Sequence, residues 1–184
     1  RLREDTILLE SKRGKDLAGN VFRILQELCK DEYKNFKIYL AVSKECEERI
    51  KKMTDAYGMV RYRFVRYGSN AYYRLLGTAK YLVEDTTFPH DFIKRKDQVY
   101  LNTWHGTPWK RMGKDEEAGA YAIGNVQKNL LYADYLLYPN PYMKSCMFGA
   151  YMLEDLYQHK VLYEGYPRNS VFFDEEQSKW LRKE

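Results

Sequence analysis

Short runs of hydrophobic residues alternate along the chain with longer stretches in which apolar residues recur every three or four positions. The short runs are typical of buried β-strands, and the longer spacing is typical of amphipathic α-helices. Seven strands are predicted, at residues 5–11, 36–43, 60–67, 81–85, 98–104, 135–138 and 160–164. Helices are predicted between them, at residues 44–56, 70–80, 120–133 and 141–157, after a first helix capped by Asn20.

This alternation predicts βαβ units and therefore an α/β fold, in which a mainly parallel sheet has helices on both faces. Residues 1–168 are expected to form that domain. The C-terminal residues 169–184 place Phe172, Phe173 and Trp180 on an otherwise charged segment. Such a helix or linker needs an apolar partner surface, which we expect in a further domain.

Composition limits the class of protein. The 184 residues, 45% of them hydrophobic, suffice for one core, and the chain begins so abruptly that we expect a piece of a longer protein. No apolar run approaches the roughly 20 residues that span a bilayer, and no secretion signal precedes the first strand. The three cysteines and three histidines are scattered, which predicts reduced thiols and no metal site. The net charge of +5 favours anionic partners.

Chemistry is expected where the strands end, because ligands of open parallel sheets bind outside the carboxyl ends of the strands. Small, polar and basic residues follow several of the predicted strands. The candidates there for binding a phosphate or an acceptor are Gly14, Lys15, Ser69, Asn140 and Arg168.

The turn after the fifth strand has the most informative pattern, HGTPWKR at residues 105–111. Thr107 and Pro108 are typical of the first positions of a helix, which predicts a helix beginning near Pro108. The free N–H groups at the start of that helix would bind an anion. Lys110 and Arg111 would oppose the helix dipole unless a phosphate is bound, which favours a phosphate site.

His105 ends the fifth strand beside this predicted anion site. A histidine imidazole ordinarily titrates near pH 6.5, so it can take a proton from an alcohol, and phosphoryl transfer depends on positioning, charge neutralisation and such a base. We expect His105 to be catalytic and Gly106, Thr107, Lys110 and Arg111 to bind phosphate. A structural histidine is the alternative. The sequence lacks the glycine motifs of classical nucleotide sites and the hydrolase nucleophile motif.

These residues also resemble a known family. The run NTWHGTP at residues 102–108, followed by Lys110, Gly113 and Lys114, resembles the CDP-glycerol:poly(glycerophosphate) glycerophosphotransferase family, the polymerases and primases of wall teichoic acid and of some capsules. Further similar stretches follow in the same order, at residues 10–15, 67–69, 78–81, 94–100, 133–137 and 165–169.

The resemblance implies the N-terminal half of a glycosyltransferase-B-type enzyme, in which two Rossmann-like domains face each other across a cleft. The chain would be the acceptor-side domain. The donor, CDP-glycerol or CDP-ribitol, would be bound mainly by the missing domain, so the chain alone should be inactive, and no cofactor is implied. Glycerol phosphate or ribitol phosphate would pass to a hydroxyl of a teichoic acid-like or capsular polymer, with His105 as the base and CMP leaving. Ser170 stands where the family commonly has Asp.

The resemblance further implies partners and a location. The partners would be a lipid-linked or polymeric polyol-phosphate acceptor, the protein's own C-terminal domain and a membrane surface, at the inner face of the bacterial cell membrane. Nucleic acid is not expected, because the basic residues cluster in loops. The alternatives are half of a nucleotide-sugar glycosyltransferase of the same type and a non-catalytic module that holds an anionic polymer.

Overall fold

The computed structural model describes residues 1–117 and 123–173. In these ranges the strands are β1 (Arg3–Glu10), β2 (Lys37–Val42), β3 (Arg63–Arg66), β4 (Ala79–Glu84), β5 (Val99–Asn102), β6 (Tyr135–Leu137) and β7 (Lys160–Leu162). They form one sheet in the order β3-β2-β1-β4-β5-β6-β7, and all neighbours are parallel. The predicted parallel α/β sheet is therefore confirmed.

Helices cover both faces of this sheet, as predicted. The α-helices in the described ranges are α1 (Gly19–Leu28), α2 (Glu47–Ala56), α3 (Asn70–Leu76), α4 (Gly124–Tyr132) and α5 (Pro141–Ala150). Short 3₁₀ helices lie at Lys12–Gly14, Asp31–Tyr33, Gly113–Asp115 and Pro167–Phe173. Helices α1 and α2 pack on one face, and α3, α4 and α5 pack on the other.

The central strands are apolar because both of their faces are buried. Successive side chains of a strand point to opposite faces. Ile7 and Leu9 of β1 therefore pack on the face of α1 and α2, and Leu8 between them packs on the face of α3, α4 and α5. A strand covered on both sides needs hydrophobic residues at consecutive positions. This requirement explains the short continuous runs of hydrophobic residues in the sequence.

One part of the sheet is less covered. An apolar groove of about 320 Å³ lies between α1 and strands β4 to β7, with Ile24, Leu101 and Tyr135 in its walls. The 3₁₀ helix Pro167–Phe173 packs against α1 and ends with Phe173, which is 87% exposed. Residues 174–184, which include Trp180, lie outside the described residues, so the helix or linker expected at residues 169–184 stays a prediction beyond Phe173.

The prediction of a helix that begins near Pro108 is wrong. The backbone there is irregular and leads to the 3₁₀ helix Gly113–Asp115. The local start signals at Thr107 and Pro108 did not suffice, because a short helix is stable only when it buries an apolar stripe. Trp109 is 98% exposed, so a helix here would bury little. No helix N-terminus therefore supplies N–H groups at this position, and phosphate binding by the neighbouring residues stays a prediction.

Two other predicted helix ends differ from those in the structure. Asn20 does not cap α1, because Ala18 is the N-cap and Asn20 lies buried in the first turn. The helix predicted at residues 141–157 ends at Ala150, since Met152 adopts a left-handed φ of 53° and the N–H of Leu153 donates to the carbonyl of Phe148.

Other predicted boundaries shift by only a few residues. Helix α2 and strand β3 each begin three residues later than expected, at Glu47 and Arg63. The predicted helix at residues 120–133 corresponds to α4, and residues 120–122 lie outside the described ranges. None of the helices in the described part of the chain combines the length and the apolar character that crossing a bilayer requires.

Candidate active site

The loops that follow β1, β4, β5 and β7 meet at the carboxyl edge of the sheet, beside the start of α1. They enclose a pocket of about 130 Å³. The residues in its walls are Lys12, Ala18, Gly19, Asn20, Asp85, Trp104, His105 and Arg168. The structure thus brings together His105 and Arg168, two candidates that lie 63 residues apart in the sequence.

The imidazole of His105 is exposed at the rim of this pocket and is held in one orientation. Its Nδ1 lies 2.9 Å from the backbone carbonyl oxygen of Asp85. A carbonyl oxygen can only accept, so Nδ1 carries the hydrogen and Nε2 of the neutral ring keeps its lone pair. The indole of Trp104 stacks on the ring, with centroids 4.5 Å apart and planes 24° apart. This arrangement suits a general base.

The backbone before His105 is strained. Trp104 has a φ of 49°, in the left-handed region that costs a non-glycine residue about 1–2 kcal/mol. The strain is offset by burial, because Trp104 is 5% exposed, and by a 2.9 Å hydrogen bond from its N–H to Oδ1 of Asn102. This turn directs the Trp104 side chain into the core and leaves His105 at the surface.

Arg168 reaches the same place from the segment after β7. Its Nη1 donates to the backbone carbonyl of His105 at 3.0 Å, and its guanidinium lies 4.5 Å from the centre of the Tyr166 ring. Its Nη2 passes over Gly106, where a Cβ would lie 3.8 Å away. A fixed positive charge therefore stands beside the imidazole.

The helix start that faces His105 is the start of α1, and not one at Pro108. The first N–H groups of a helix have no partner inside the helix, and they form the positive end of its dipole. Ala18, the N-cap residue, offers no side chain that could satisfy them. Because Ala18, Gly19 and Asn20 all line the pocket, these donors are available where an anion would sit beside His105.

Three of the predicted binding residues have evident structural roles. Gly14 has a φ of 72°, and a Cβ there would lie 2.9 Å from the backbone nitrogen of Ser43. Ser69 caps α3, and Asn140 caps α5 by accepting from the N–H of Met143 at 2.9 Å. These roles account for the residue types without a ligand, so their part in binding stays a prediction.

The remaining predicted residues lie in loops near the edge of the sheet. Thr107 is half-buried. Lys15 is exposed, and its carbonyl accepts from Arg49 at 3.0 Å. Lys110 and Arg111 are exposed and form no ion pair with any described residue. They are not in a helix, so the predicted conflict with a helix dipole does not exist.

Comparison with known proteins identifies the family. The model of the CDP-Glycerol:Poly(glycerophosphate) glycerophosphotransferase family matches residues 1–184. The chain belongs to this family. Its relatives include the teichoic acid poly(glycerol phosphate) polymerase of Bacillus spizizenii, which is 25% identical over 98% of this chain and 45% of the polymerase. The teichoic acid glycerol-phosphate transferase of Staphylococcus aureus is 28% identical over 90% of this chain and 41% of the transferase.

A solved structure of the wall teichoic acid polymerase TagF has the same fold. It superimposes with a TM-score of 0.78 at 24% identity, over 99% of this chain and 44% of the TagF chain. The likeness confirms the predicted Rossmann-like fold with its mainly parallel sheet. The chain spans less than half the length of the relatives it matches, with shares of 45% and 41% in the two named above.

Three buried carboxyl groups lie at the base of the pocket, and the sequence analysis did not predict them. Glu10 and Glu84 are fully buried at the ends of β1 and β4, where they lie side by side, and Asp85 follows them. The carboxylate of Asp85 accepts from the hydroxyl of Ser11 at 2.6 Å and from the N–H of Lys12 at 2.9 Å. Burial raises the pKa of Asp85, while these two hydrogen bonds lower it.

The pair Glu10 and Glu84 has no cationic hydrogen-bond partner in the described residues. Tyr72 donates to Glu10 at 2.5 Å, and Glu84 accepts from Thr86 and from Asn102. Burial raises the pKa of Glu10 to about 8 and that of Glu84 well above its ordinary value. The signal in the sequence is an acidic residue at the end of each of these two apolar strands.

The protonated state of Glu10 should make stability depend on pH. Its pKa is raised from 4.5 to about 8, so its contribution is fully present below pH 4.5 and is lost as the pH rises towards 8. Glu10→Gln keeps an acceptor for Tyr72 and cannot ionise. We expect it to reduce the loss of unfolding free energy over this range by on the order of 1 kcal/mol per pH unit.

Urea unfolding at several pH values measures this effect. Glu154→Gln is the control, because Glu154 is exposed and should leave the pH dependence as it is in the unmodified protein. An identical pH slope for Glu10→Gln and the unmodified protein would show that Glu10 is ionised in the folded state.

A metal centre has no evident place in the described ranges, where no group of three or more His, Cys, Asp or Glu side chains is arranged to hold an ion. His90 and His159 are exposed loop residues.

Proposed function

We propose that the full-length protein transfers glycerol phosphate, or ribitol phosphate, from a CDP-polyol to a hydroxyl of a teichoic acid-like or capsular polymer and releases CMP. The main support is the geometry of His105, whose Nε2 is free to accept a proton at the rim of a pocket that Lys12 and Arg168 line. Membership of the glycerophosphotransferase family and relatives named as teichoic acid polymerases support the same reaction.

In the proposed reaction the acceptor hydroxyl donates its proton to Nε2 of His105. The oxygen attacks the phosphorus that carries the polyol, a new P–O bond forms, and the bond from that phosphorus to the bridging oxygen of the pyrophosphate breaks. CMP leaves with the electron pair of that bond. Arg168 and the N–H groups at the start of α1 stabilise the negative charge of the phosphates, as phosphoryl transfer requires.

The acceptor would be a lipid-linked primer or a growing polyol-phosphate chain. A lipid-linked acceptor would bring the protein to the inner face of the bacterial cell membrane as a peripheral protein. The donor would be held mainly by a second domain beyond this chain, so the chain alone would be inactive. Relatives more than twice as long as the matched part support this division.

A donor screen tests the proposal. The full-length protein is incubated with a glycerol-phosphate primer, in solution or in vesicles, and with CDP-glycerol, CDP-ribitol or a set of nucleotide sugars. We expect CMP release and primer extension only with a CDP-polyol, and faster extension of the vesicle-bound primer. Release of nucleotide only from nucleotide sugars would favour a sugar transferase, and primer binding without turnover would favour a non-catalytic module.

A further inference from the structure

We propose that Asn20 is a positioning residue, which holds His105 and Arg168 in the one relative arrangement that transfer needs. The inference rests on the proposed function. Asn20 lies in the first turn of α1 and is 2% exposed. It was expected to cap the helix, a role that Ala18 has instead. A buried amide in this position needs hydrogen-bond partners elsewhere.

Those partners belong to the two loops that supply the site. The amide nitrogen of Asn20 donates to the carbonyls of Thr103 at 3.5 Å and Trp104 at 3.4 Å. Its oxygen accepts from the backbone N–H of Arg168 at 3.3 Å. One side chain therefore connects α1, the turn before His105 and the segment after β7.

The connection acts on strained backbone. Trp104 is held in a left-handed conformation, and relaxation of that strain would turn the chain at His105. Arg168 also donates to the carbonyl of His105, so a shift of one loop would move the other. Asn20 touches no atom that we place in the proton transfer itself. Its role is to fix the distance between the base and the guanidinium.

The test uses the full-length protein and compares Asn20→Ala and Asn20→Asp with Asn129→Ala. Asn20→Asp has the same shape and can still accept from Arg168, but it loses the donations to the two carbonyls. Asn129 is a matched control, since it is fully buried on α4 and bonds the N–H and the carbonyl of Phe88 at 3.0 and 3.2 Å. Turnover, KM for the primer and thermal stability are measured for each variant.

Misplacement of a base by about 1 Å can cost on the order of 100-fold in rate. We expect both Asn20 variants to lose roughly 10- to 100-fold in kcat with little change in KM. Asn129→Ala should lose similar stability and keep the kcat of its folded fraction.

If Asn20→Ala and Asn129→Ala lose stability equally and both keep kcat, Asn20 is only structural. His105→Ala, measured alongside, separates the two proposals. A full rate in His105→Ala overturns the proposed function, whereas an inactive His105→Ala with an active Asn20→Ala overturns only the positioning role.

Discussion

His105→Ala in the full-length protein is expected to lower kcat for CMP release by roughly 10²- to 10⁴-fold, the usual contribution of a general base. The loss should fall on kcat more than on KM, because Arg168 and the start of α1 would still bind the phosphates. The fold should survive, since the imidazole is exposed and makes one hydrogen bond, to the carbonyl of Asp85. Thermal unfolding should shift little.

His159→Ala is the matched control. His159 is also exposed, and its ring packs edge-on against Tyr157, with centroids 5.7 Å apart. It directly precedes β7 and so lies at the amino ends of the parallel strands, away from His105 at their carboxyl ends. Its replacement should leave turnover unchanged. Equal kcat values in the two variants would mean that the proton of the acceptor goes elsewhere.

Gly113→Ala is expected to lower the free energy of unfolding by about 2–5 kcal/mol. Gly113 has a φ of 58°, and a Cβ there would lie 2.2 Å from the carbonyl oxygen of Ala150, which is part of a helix and cannot simply rotate away. Both the backbone conformation and the contact with α5 would have to change. Denaturant unfolding of the purified protein measures the loss.

Gly58→Ala separates the two causes. Gly58 has a φ of 66°, close to that of Gly113, but a Cβ there would meet no atom within 4 Å. The backbone effect alone should cost about 1 kcal/mol. Similar losses in both variants would show that the contact between Gly113 and Ala150 is looser than the structure has it. A larger loss in Gly113→Ala would show that this contact fixes the end of the loop after His105.

The sheet could be predicted from the sequence because its strands obey a local rule. Each central strand is buried on both faces, so it consists of consecutive apolar residues. In the helices between the strands, apolar residues recur every three to four positions. The proximity of His105 and Arg168 could also be predicted, because parallel strands bring the segments at their carboxyl ends to one edge. Neither inference required knowledge of a long-range contact.

The predictions that were wrong concern features that depend on contacts between distant segments. Thr107 and Pro108 have the local signals of a helix start, yet no surface is available to bury the helix they would begin. Asn20 resembles a cap, but its partners lie 83 to 148 residues away. The burial of Glu10 and Glu84 follows from strand register, which composition does not reveal. The helix start that lies beside His105 is that of α1 and not one at Pro108, and the sequence around Asn20 gave no sign of this long-range contact.

The role of His105 as the base can be tested by a crystal structure of the full-length protein with a glycerol-phosphate oligomer bound. We expect the terminal hydroxyl oxygen of the oligomer to lie within about 3.2 Å of Nε2 of His105, with the neighbouring phosphate at the start of α1. A terminal hydroxyl bound outside this pocket, with Nε2 facing away from it, would show that His105 is not the base.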